Sequence, residues 1–189
     1  MQAILVFPRW IYDNVVPYIG GEEDKVETEP LKMLGTFAGD HIESLQAIIS
    51  AACNRVAVID GHIVCVSVGF KAGNKPTLAQ IRAAWADYRG LDIARDLPSA
   101  ADPILIYTEE NDRPQPRRDR DAVHGMATTI GRLRPDPILD VKFVALAHNT
   151  IRGAAGGAIL NAELLVAQGF VAEAERMRDT VRSAVGVTD

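Results

Sequence analysis

Residues 53–66 have the sequence CNRVAVIDGHIVCV, the part of the 189-residue chain that most constrains its fold. Apolar and β-branched residues flank Asp60-Gly61, a dipeptide typical of two-residue hairpin turns. The sequence therefore predicts a β-hairpin in which Ile59 lies opposite His62, and Arg55 lies opposite Val66. In this register Arg55 and His62 face the same side of the sheet, with their Cα atoms about 14 Å apart.

The chemistry of these two side chains indicates a small-acid site. Arg55 offers a planar fork of donors that suits a carboxylate or a phosphate. His62 is able to carry a proton near neutral pH. Leaning inward, the two side chains could hold a small acid between them. The alternative, a surface arginine beside a turn histidine, stays open at this point.

The same register separates the two cysteines of the chain, Cys53 and Cys65. Cys53 would lie on the Arg55 face but about 20 Å from His62, too far for a nucleophilic dyad. Cys65 would lie on the opposite face, which argues against a Cys53–Cys65 disulfide. We expect both to be small buried thiols.

The rest of the chain alternates helix and strand signals. Residues 22–34 look helical, but Pro30 interrupts them and favours a helix that starts near Thr28 or Glu29. Thr77 and Gln80 have the spacing of a capping box and predict a helix that ends at Gly90. The remaining predictions are a strand at 104–108, a charged loop at 109–121, a hairpin of 126–134 and 138–148, a helix from Gly153 and a last amphipathic helix over about 171–185. Together they predict a single α+β domain over residues 1–189, with a mixed or antiparallel sheet and helices on one face.

Composition narrows the class of protein. The chain is 48% hydrophobic and 24% charged with a net charge of −5, which argues against general nucleic-acid binding. No apolar run reaches the roughly 18 residues of a membrane span. The N-terminal residues lack the basic region of a signal peptide, so we expect a cytoplasmic protein. Two isolated cysteines give no metal-binding pair, and we expect no metal site.

Several motifs, in one order, resemble the substrate-binding and dimerisation half of the aspartate-semialdehyde dehydrogenase family, in its archaeal and fungal branch. The motifs are CNRVAVIDGH at 53–62, DNVVPYIGGEE at 13–23, DRPQPR at 112–117, GRLRPDP at 131–137 and HNTIRGAAG at 148–156. The resemblance covers about residues 11–170. It implies the C-terminal domain of the semialdehyde dehydrogenase and glyceraldehyde-3-phosphate dehydrogenase-like fold, in a homodimer or a higher homo-oligomer.

The resemblance also implies an activity. The family reduces aspartyl phosphate to aspartate semialdehyde with NADPH, or runs the reverse reaction with phosphate, in lysine, threonine and methionine biosynthesis. The roles that it implies are His62 as the acid/base, Gln2 as a catalytic-site glutamine, Arg55 for the substrate carboxylate, Glu29 for its ammonium group, Lys32 for the phosphate and Asn149 beside the nicotinamide.

Simpler interpretations exist for three of these residues. Glu29 and Lys32, three apart on a helix, could be an exposed ion pair. Asn149 could be a helix cap. The glycines from Gly153 to Gly157 do not form a dinucleotide-binding fingerprint.

The chain also departs from the family pattern. Family members carry an N-terminal Rossmann domain with the NADP loop and the cysteine nucleophile, and residues 1–189 match neither. We therefore expect this chain alone to be inactive. Two other hypotheses stay open: a non-catalytic dimerisation or assembly module, and the same domain of a malonyl-CoA reductase-like enzyme.

Overall fold

The computed structural model describes residues 11–171 of the chain. Their contacts divide into two compact units, with the boundary between Ile59 and Asp60. A single domain over 1–189 stays a prediction, and from residue 172 onward the helix expected over 171–185 lies outside the described residues.

The first unit contains one helix and a small two-stranded sheet. Its elements are α1 (Glu22–Met33), β1 (Thr36–Phe37) and β2 (Ile42–Glu43), and the two strands pair antiparallel. Pro30 lies inside α1 rather than near its start, so the expected start at Thr28 or Glu29 is wrong. Three acidic residues from Glu22 onward form the first turn, where carboxylates stabilise the positive end of the helix dipole.

Side chains of helix α1 bind the main-chain N–H groups of an extended segment. Glu27 Oε1 accepts the Ala51 N–H at 2.9 Å, and Glu23 Oε1 accepts the Cys53 N–H, also at 2.9 Å. Glu23 and Glu27 share a helix face because they are four residues apart. Two residues further along, Arg55 exchanges both main-chain hydrogen bonds with Val16, at 2.9 and 3.0 Å.

The second unit is built on a four-stranded mixed sheet. Its strand order is β3-β6-β5-β4, with β4 and β5 parallel and the other pairs antiparallel. The strands are β3 (His62–Val68), β4 (Leu105–Thr108), β5 (Thr128–Pro135) and β6 (Val141–Ala147). The expected second hairpin is confirmed as β5 and β6, and the α+β class with a mixed sheet is confirmed.

The hairpin expected at Asp60-Gly61 is wrong. Strand β3 pairs with β6, from His62 opposite Ala147 to Val68 opposite Val141. In the first unit the partner of Arg55 is Val16. The pairing of β3 joins residues that are about eighty positions apart in the sequence, and the local turn signal does not contain that information.

The helices of the second unit start mostly where local signals place them. They are α2 (Leu78–Asp87), α3 (Asp92–Arg95), α4 (Pro116–Asp119), a 3-10 turn (Ala122–Gly125), a π-helical turn (Ile151–Ala155) and α5 (Gly156–Ala167). The capping box at the start of α2 is confirmed: Thr77 Oγ1 accepts the Gln80 N–H, and Gln80 Oε1 accepts the Thr77 N–H. The helix expected from Gly153 begins instead in the π-helical turn.

Aromatic packing joins α2 to the sheet. Trp85 stacks on Tyr107 of β4 with a centroid distance of 5.9 Å, and it meets Phe143 of β6 edge-to-face at 5.1 Å. Leu146 of β6 is the large side chain most completely withdrawn from solvent, with 1% exposed. The core of this unit therefore lies on its central strands, and β3 forms an exposed edge.

Candidate functional site

The residues singled out by the sequence fall into two groups, one in each unit. The three predicted substrate-binding residues, Glu29, Lys32 and Arg55, belong to the first unit. The predicted acid/base His62 and the predicted cofactor residue Asn149 belong to the second. Gln2, the remaining predicted catalytic residue, lies outside the described residues.

In the first unit, the predicted substrate-binding side chains are exposed on an anchored backbone. Glu29 and Lys32 are three residues apart on α1 and both are open to solvent. Arg55 is also exposed, while its main chain is held by Val16. Their charged ends are open to a small charged molecule, and ordering these long side chains on binding costs conformational entropy.

Neither cysteine has the surroundings of an activated nucleophile. Burial raises the pKa of the Cys53 thiol, and the nearby carboxylate of Glu23 raises it further. A raised pKa leaves less of the reactive thiolate at neutral pH. Cys65 is exposed on the edge strand, so the expectation that it is buried is wrong. Both thiols are free, as expected.

His62 is the first residue of β3 and its side chain is exposed. Its main chain pairs with Ala147 at the end of β6. The imidazole therefore stands at one end of an ordered strand and is open to a ligand, a geometry that suits proton transfer.

Asn149 lies two residues beyond β6 and contacts the residue before His62. Its Oδ1 accepts the Gly61 N–H at 2.7 Å. The alternative that Asn149 caps a helix is wrong, because its side chain bonds to Gly61 and the π-helical turn has no side-chain cap. The structure thus brings together the predicted cofactor residue and the predicted acid/base.

Polar residues that the sequence did not single out surround this contact. Thr150 Oγ1 donates to Asp60 Oδ1 at 3.3 Å, and Arg120 Nη1 donates to the Asp60 carbonyl oxygen, also at 3.3 Å. His148 is 5% exposed, and its Nδ1 accepts the Ile151 N–H at 3.3 Å. The polar run His148-Asn149-Thr150 at the end of a predicted strand was the available signal.

An ion pair fixes the charged loop over 109–121. Arg113 Nε donates to both carboxylate oxygens of Asp119, at 2.7 and 3.0 Å, and the Gln115 N–H donates to the same carboxylate at 2.6 Å. The guanidinium of Arg113 holds the pKa of Asp119 below its usual value, assisted by the Gln115 amide. This loop reaches the turn that precedes β3, because a Cβ placed on Gly61 would lie 3.2 Å from Pro116 Cβ.

Two further features of the described residues bear on the class of site. Within residues 11–171, no group of three or more His, Cys, Asp or Glu side chains is arranged to hold a metal ion. None of the helices in the described part of the chain is both long enough and apolar enough to cross a membrane.

Comparison with known proteins places the chain in a family. Residues 3–152 match the family described as semialdehyde dehydrogenase, dimerisation domain. The aspartate-semialdehyde dehydrogenase of Archaeoglobus fulgidus is 48% identical over 161 residues, which is 85% of this chain and 45% of that protein. The Trichophyton rubrum enzyme of the same name is 45% identical over 85% of this chain and 46% of its own length.

A solved structure agrees in fold. The Candida albicans aspartate semialdehyde dehydrogenase, crystallised with NADP, superposes with a TM-score of 0.76 at 40% identity. The superposition covers 85% of this chain and 46% of that one. The chain thus spans about half the length of the relatives it matches, and it corresponds to their C-terminal part. It belongs to the semialdehyde dehydrogenase dimerisation-domain family, and within that family it is similar to aspartate-semialdehyde dehydrogenases.

Proposed function

We propose that this chain supplies the substrate-binding and proton-transfer residues of an aspartate-semialdehyde dehydrogenase. The reaction is the NADP-dependent interconversion of aspartyl phosphate and aspartate semialdehyde, a step toward lysine, threonine and methionine. A cytoplasmic location follows from that biosynthetic role. By itself, without an activated cysteine, the chain is expected to be inactive.

The observation that carries the proposal is the contact between the segment of His62 and Asn149. These residues lie in two separate motifs of the family resemblance, 53–62 and 148–156. In the second unit the Asn149 side chain bonds to the main chain directly before His62. A proton carrier and a carboxamide at the same end of the adjacent strands β3 and β6 suit hydride transfer between a thiohemiacetal and a nicotinamide.

Each chain residue has a definite task in this proposal. Arg55 binds the substrate carboxylate through its guanidinium, and Glu29 binds the ammonium group through its carboxylate. Lys32 binds the phosphate as a point charge. His62 takes the hydroxyl proton as the hydride leaves, and it returns that proton in the reverse direction. Gln2 completes the predicted catalytic set.

The Nδ2 group of Asn149 is a hydrogen-bond donor that suits a nicotinamide carboxamide. Because Oδ1 is engaged by the Gly61 N–H, the Nδ2 amide is the group left for a ligand, and the described residues give it no partner. An amide N–H₂ donates to a carbonyl oxygen such as the one on a nicotinamide. NADP, when bound, accepts or supplies the hydride, and Asn149 would orient its ring.

A fusion protein tests the proposal. The N-terminal part of the Archaeoglobus fulgidus relative that the match leaves uncovered is joined ahead of this chain. The purified fusion is mixed with aspartate semialdehyde, phosphate and NADP, and NADPH formation is followed by absorbance. We expect phosphate-dependent turnover that His62→Asn lowers by about a thousandfold, because general acid–base catalysis contributes 10²–10⁴.

A second histidine provides the matched control. His41 is exposed and contacts Asp40 in the first unit, and His41→Asn is expected to leave turnover unchanged. A folded fusion without turnover would contradict the proposal. Equal losses in the His62 and His41 variants would contradict the assigned role of His62.

The substrate class is tested by Glu29. Replacing Glu29 with Gln removes the charge that pairs with an ammonium group, so KM for aspartate semialdehyde should rise about tenfold with a smaller change in kcat. Malonyl-CoA, which lacks an ammonium group, is tested as the alternative substrate in a separate reaction with NADPH, because a thioester has to be reduced and releases CoA. Turnover of malonyl-CoA but not of aspartate semialdehyde would assign the chain to the malonyl-CoA reductase-like alternative.

Self-association is a second role that the structure favours. The edge strand β3 leaves Ile63 44% exposed and Val64 51% exposed, on opposite faces of the sheet. Exposed apolar strand edges mark surfaces that pair with another chain. We propose that the chain forms a homodimer or a higher homo-oligomer, which light scattering after size exclusion would show as a mass at least twice 20.5 kDa. A monomer at every concentration would contradict this.

A further inference from the structure

The turn directly before His62 has a conformation that its surroundings enforce. Gly61 has φ +109°, a region that residues with a side chain rarely adopt. A Cβ on Gly61 would lie 3.2 Å from both Leu146 Cδ1 and Pro116 Cβ. The main chain is therefore pressed against the sheet on one side and against the charged loop on the other.

Three polar contacts hold the same turn. The Gly61 N–H donates to Asn149 Oδ1 at 2.7 Å. The Asp60 carboxylate accepts from Thr150 Oγ1, and the Asp60 carbonyl oxygen accepts from Arg120 Nη1, both at 3.3 Å. Three residues outside the turn make these hydrogen bonds, and two of them, Asn149 and Thr150, are adjacent in the sequence.

These contacts begin where the strand pairing stops. His62 is the first residue of β3, and its partner Ala147 is the last residue of β6. One step further out, the Asn149 side chain accepts the Gly61 N–H. The pairing of the two segments thus continues beyond the strands through side-chain atoms.

A buried histidine supports this extension. The side chain of His148 is 6% exposed, and its Nδ1 lies 3.2 Å from Thr150 Oγ1 and accepts the Ile151 N–H. This arrangement fixes the backbone from His148 to Ile151. Asn149 and Thr150 therefore reach the turn from a rigid base.

We infer that Asn149 and Thr150 are positioning residues that fix His62 through the Asp60–Gly61 turn. This inference rests on the proposed role of His62 as the acid/base. Proton transfer depends steeply on placement, and a displacement of about 1 Å costs on the order of a hundredfold in rate. An exposed imidazole at the end of an edge strand needs such an anchor, because side-chain burial does not provide one.

The inference divides the Asn149 side chain between two tasks. Its Oδ1 holds Gly61, and its Nδ2 is left for a cofactor. Asn149→Asp keeps an acceptor for Gly61 and removes the donor, whereas Asn149→Ala removes both. Thr150→Val keeps the shape but loses the hydroxyl, and Thr150→Ser keeps the hydroxyl.

The first test uses the 189-residue chain and nuclear magnetic resonance. Amide exchange at Gly61 should accelerate about tenfold in Asn149→Ala, the loss expected for one hydrogen bond, and stay near the wild-type rate in Asn149→Asp. The His62 amide and ring signals should broaden in Thr150→Val and not in Thr150→Ser. Asn161→Ala, on the exposed face of α5, is the control that should change neither.

The second test uses the fusion described above. Asn149→Ala and Thr150→Val should lower kcat by about ten- to a hundredfold, with KM for aspartate semialdehyde changed less than about threefold. Thr150→Ser should restore kcat. Asn149→Asp keeps the acceptor for Gly61 and loses only the cofactor donor, so kcat should fall less than in Asn149→Ala while KM for NADP rises.

The outcomes separate the inference from the proposed function. Unchanged Gly61 exchange in Asn149→Ala, or unchanged His62 signals in Thr150→Val, overturns the inference whatever the fusion does. Altered signals with an unaltered kcat also overturn it, because the contacts would then be structural only. An inactive fusion of wild-type sequence refutes the proposed function, and the resonance measurements still decide whether Asn149 and Thr150 position His62.

Discussion

Arg113 Nε donates to Asp119 Oδ2 at 2.7 Å and to Oδ1 at 3.0 Å, and Asp119 is only 5% exposed. A second guanidinium nitrogen of Arg113 contacts the same carboxylate. This pair closes a loop that contains five acidic or basic residues between positions 112 and 121 besides these two. A sequence whose charges nearly cancel is thereby given one fixed conformation beside the turn that precedes β3.

Asp119→Asn should lower the free energy of unfolding by about 2 kcal/mol, because a charge-assisted bidentate contact is replaced by a neutral one. Urea unfolding followed by circular dichroism measures the change. Asp112 lies in the same loop but is exposed, with its nearest cation, Arg118, at 3.7 Å. Asp112→Asn should therefore change the free energy of unfolding far less, and equal effects of the two variants would contradict the assignment.

The same pair should make stability depend on pH in the acid range. Arg113 lowers the pKa of Asp119 below its ordinary value, so the folded state favours the charged carboxylate. The stabilisation is complete above the unfolded pKa of about 3.9 and is lost as pH falls from there through the lower pKa of the folded state.

The difference in unfolding free energy between wild type and Asp119→Asn should accordingly be constant from neutral pH to about pH 5 and shrink below about pH 4. Urea titrations at a series of pH values test this. A difference that persists unchanged to pH 2 would show that charge on Asp119 is not what stabilises the loop.

Trp85 should contribute strongly to the stability of the second unit. It contacts one aromatic ring on β4 and another on β6, so its removal leaves a gap between α2 and the sheet. Trp85→Ala should lower the free energy of unfolding by about 3 kcal/mol. Tyr18→Ala, at a side chain 66% exposed, is the control and should have little effect on thermal unfolding.

Gly131 on β5 is predicted to tolerate no side chain. A Cβ there would lie 2.5 Å from the carbonyl oxygen of Arg113 and 2.9 Å from Thr108 Cγ2. Gly131→Ala should destabilise the chain by about 3 kcal/mol, since main-chain atoms have to move. Gly69, where a Cβ would meet only Leu139 at 3.5 Å, provides a matched substitution that should be tolerated.

Local signals predicted the local parts of the fold. The α2 start follows from a capping box within four residues, and the β5–β6 hairpin joins neighbouring segments. The hairpin at Asp60-Gly61 failed because a turn dipeptide does not specify a partner strand, and β6 is far away in sequence. The helix start predicted from Pro30 failed because proline prefers the first turn of a helix without requiring it, and α1 begins at Glu22.

The identities of the site residues came from the family resemblance, and their contacts did not. Asn149 and Gly61 are 88 residues apart, and no periodicity relates them. Every residue except proline has a main-chain N–H, so the identity of Gly61 does not indicate that the Asn149 side chain binds to it. The structure was therefore necessary to show that Asn149 bears on the segment of His62.

The hydrogen bonds from residues 51 and 53 to α1 have an evolutionary consequence. Glu23 and Glu27 bind main-chain N–H groups, which every amino acid except proline possesses. The identities of the gripped residues are thus free to change without loss of either contact. Selection can then act on the side chains of this segment for ligand chemistry alone, and Arg55 occupies a position where specificity can evolve independently of folding.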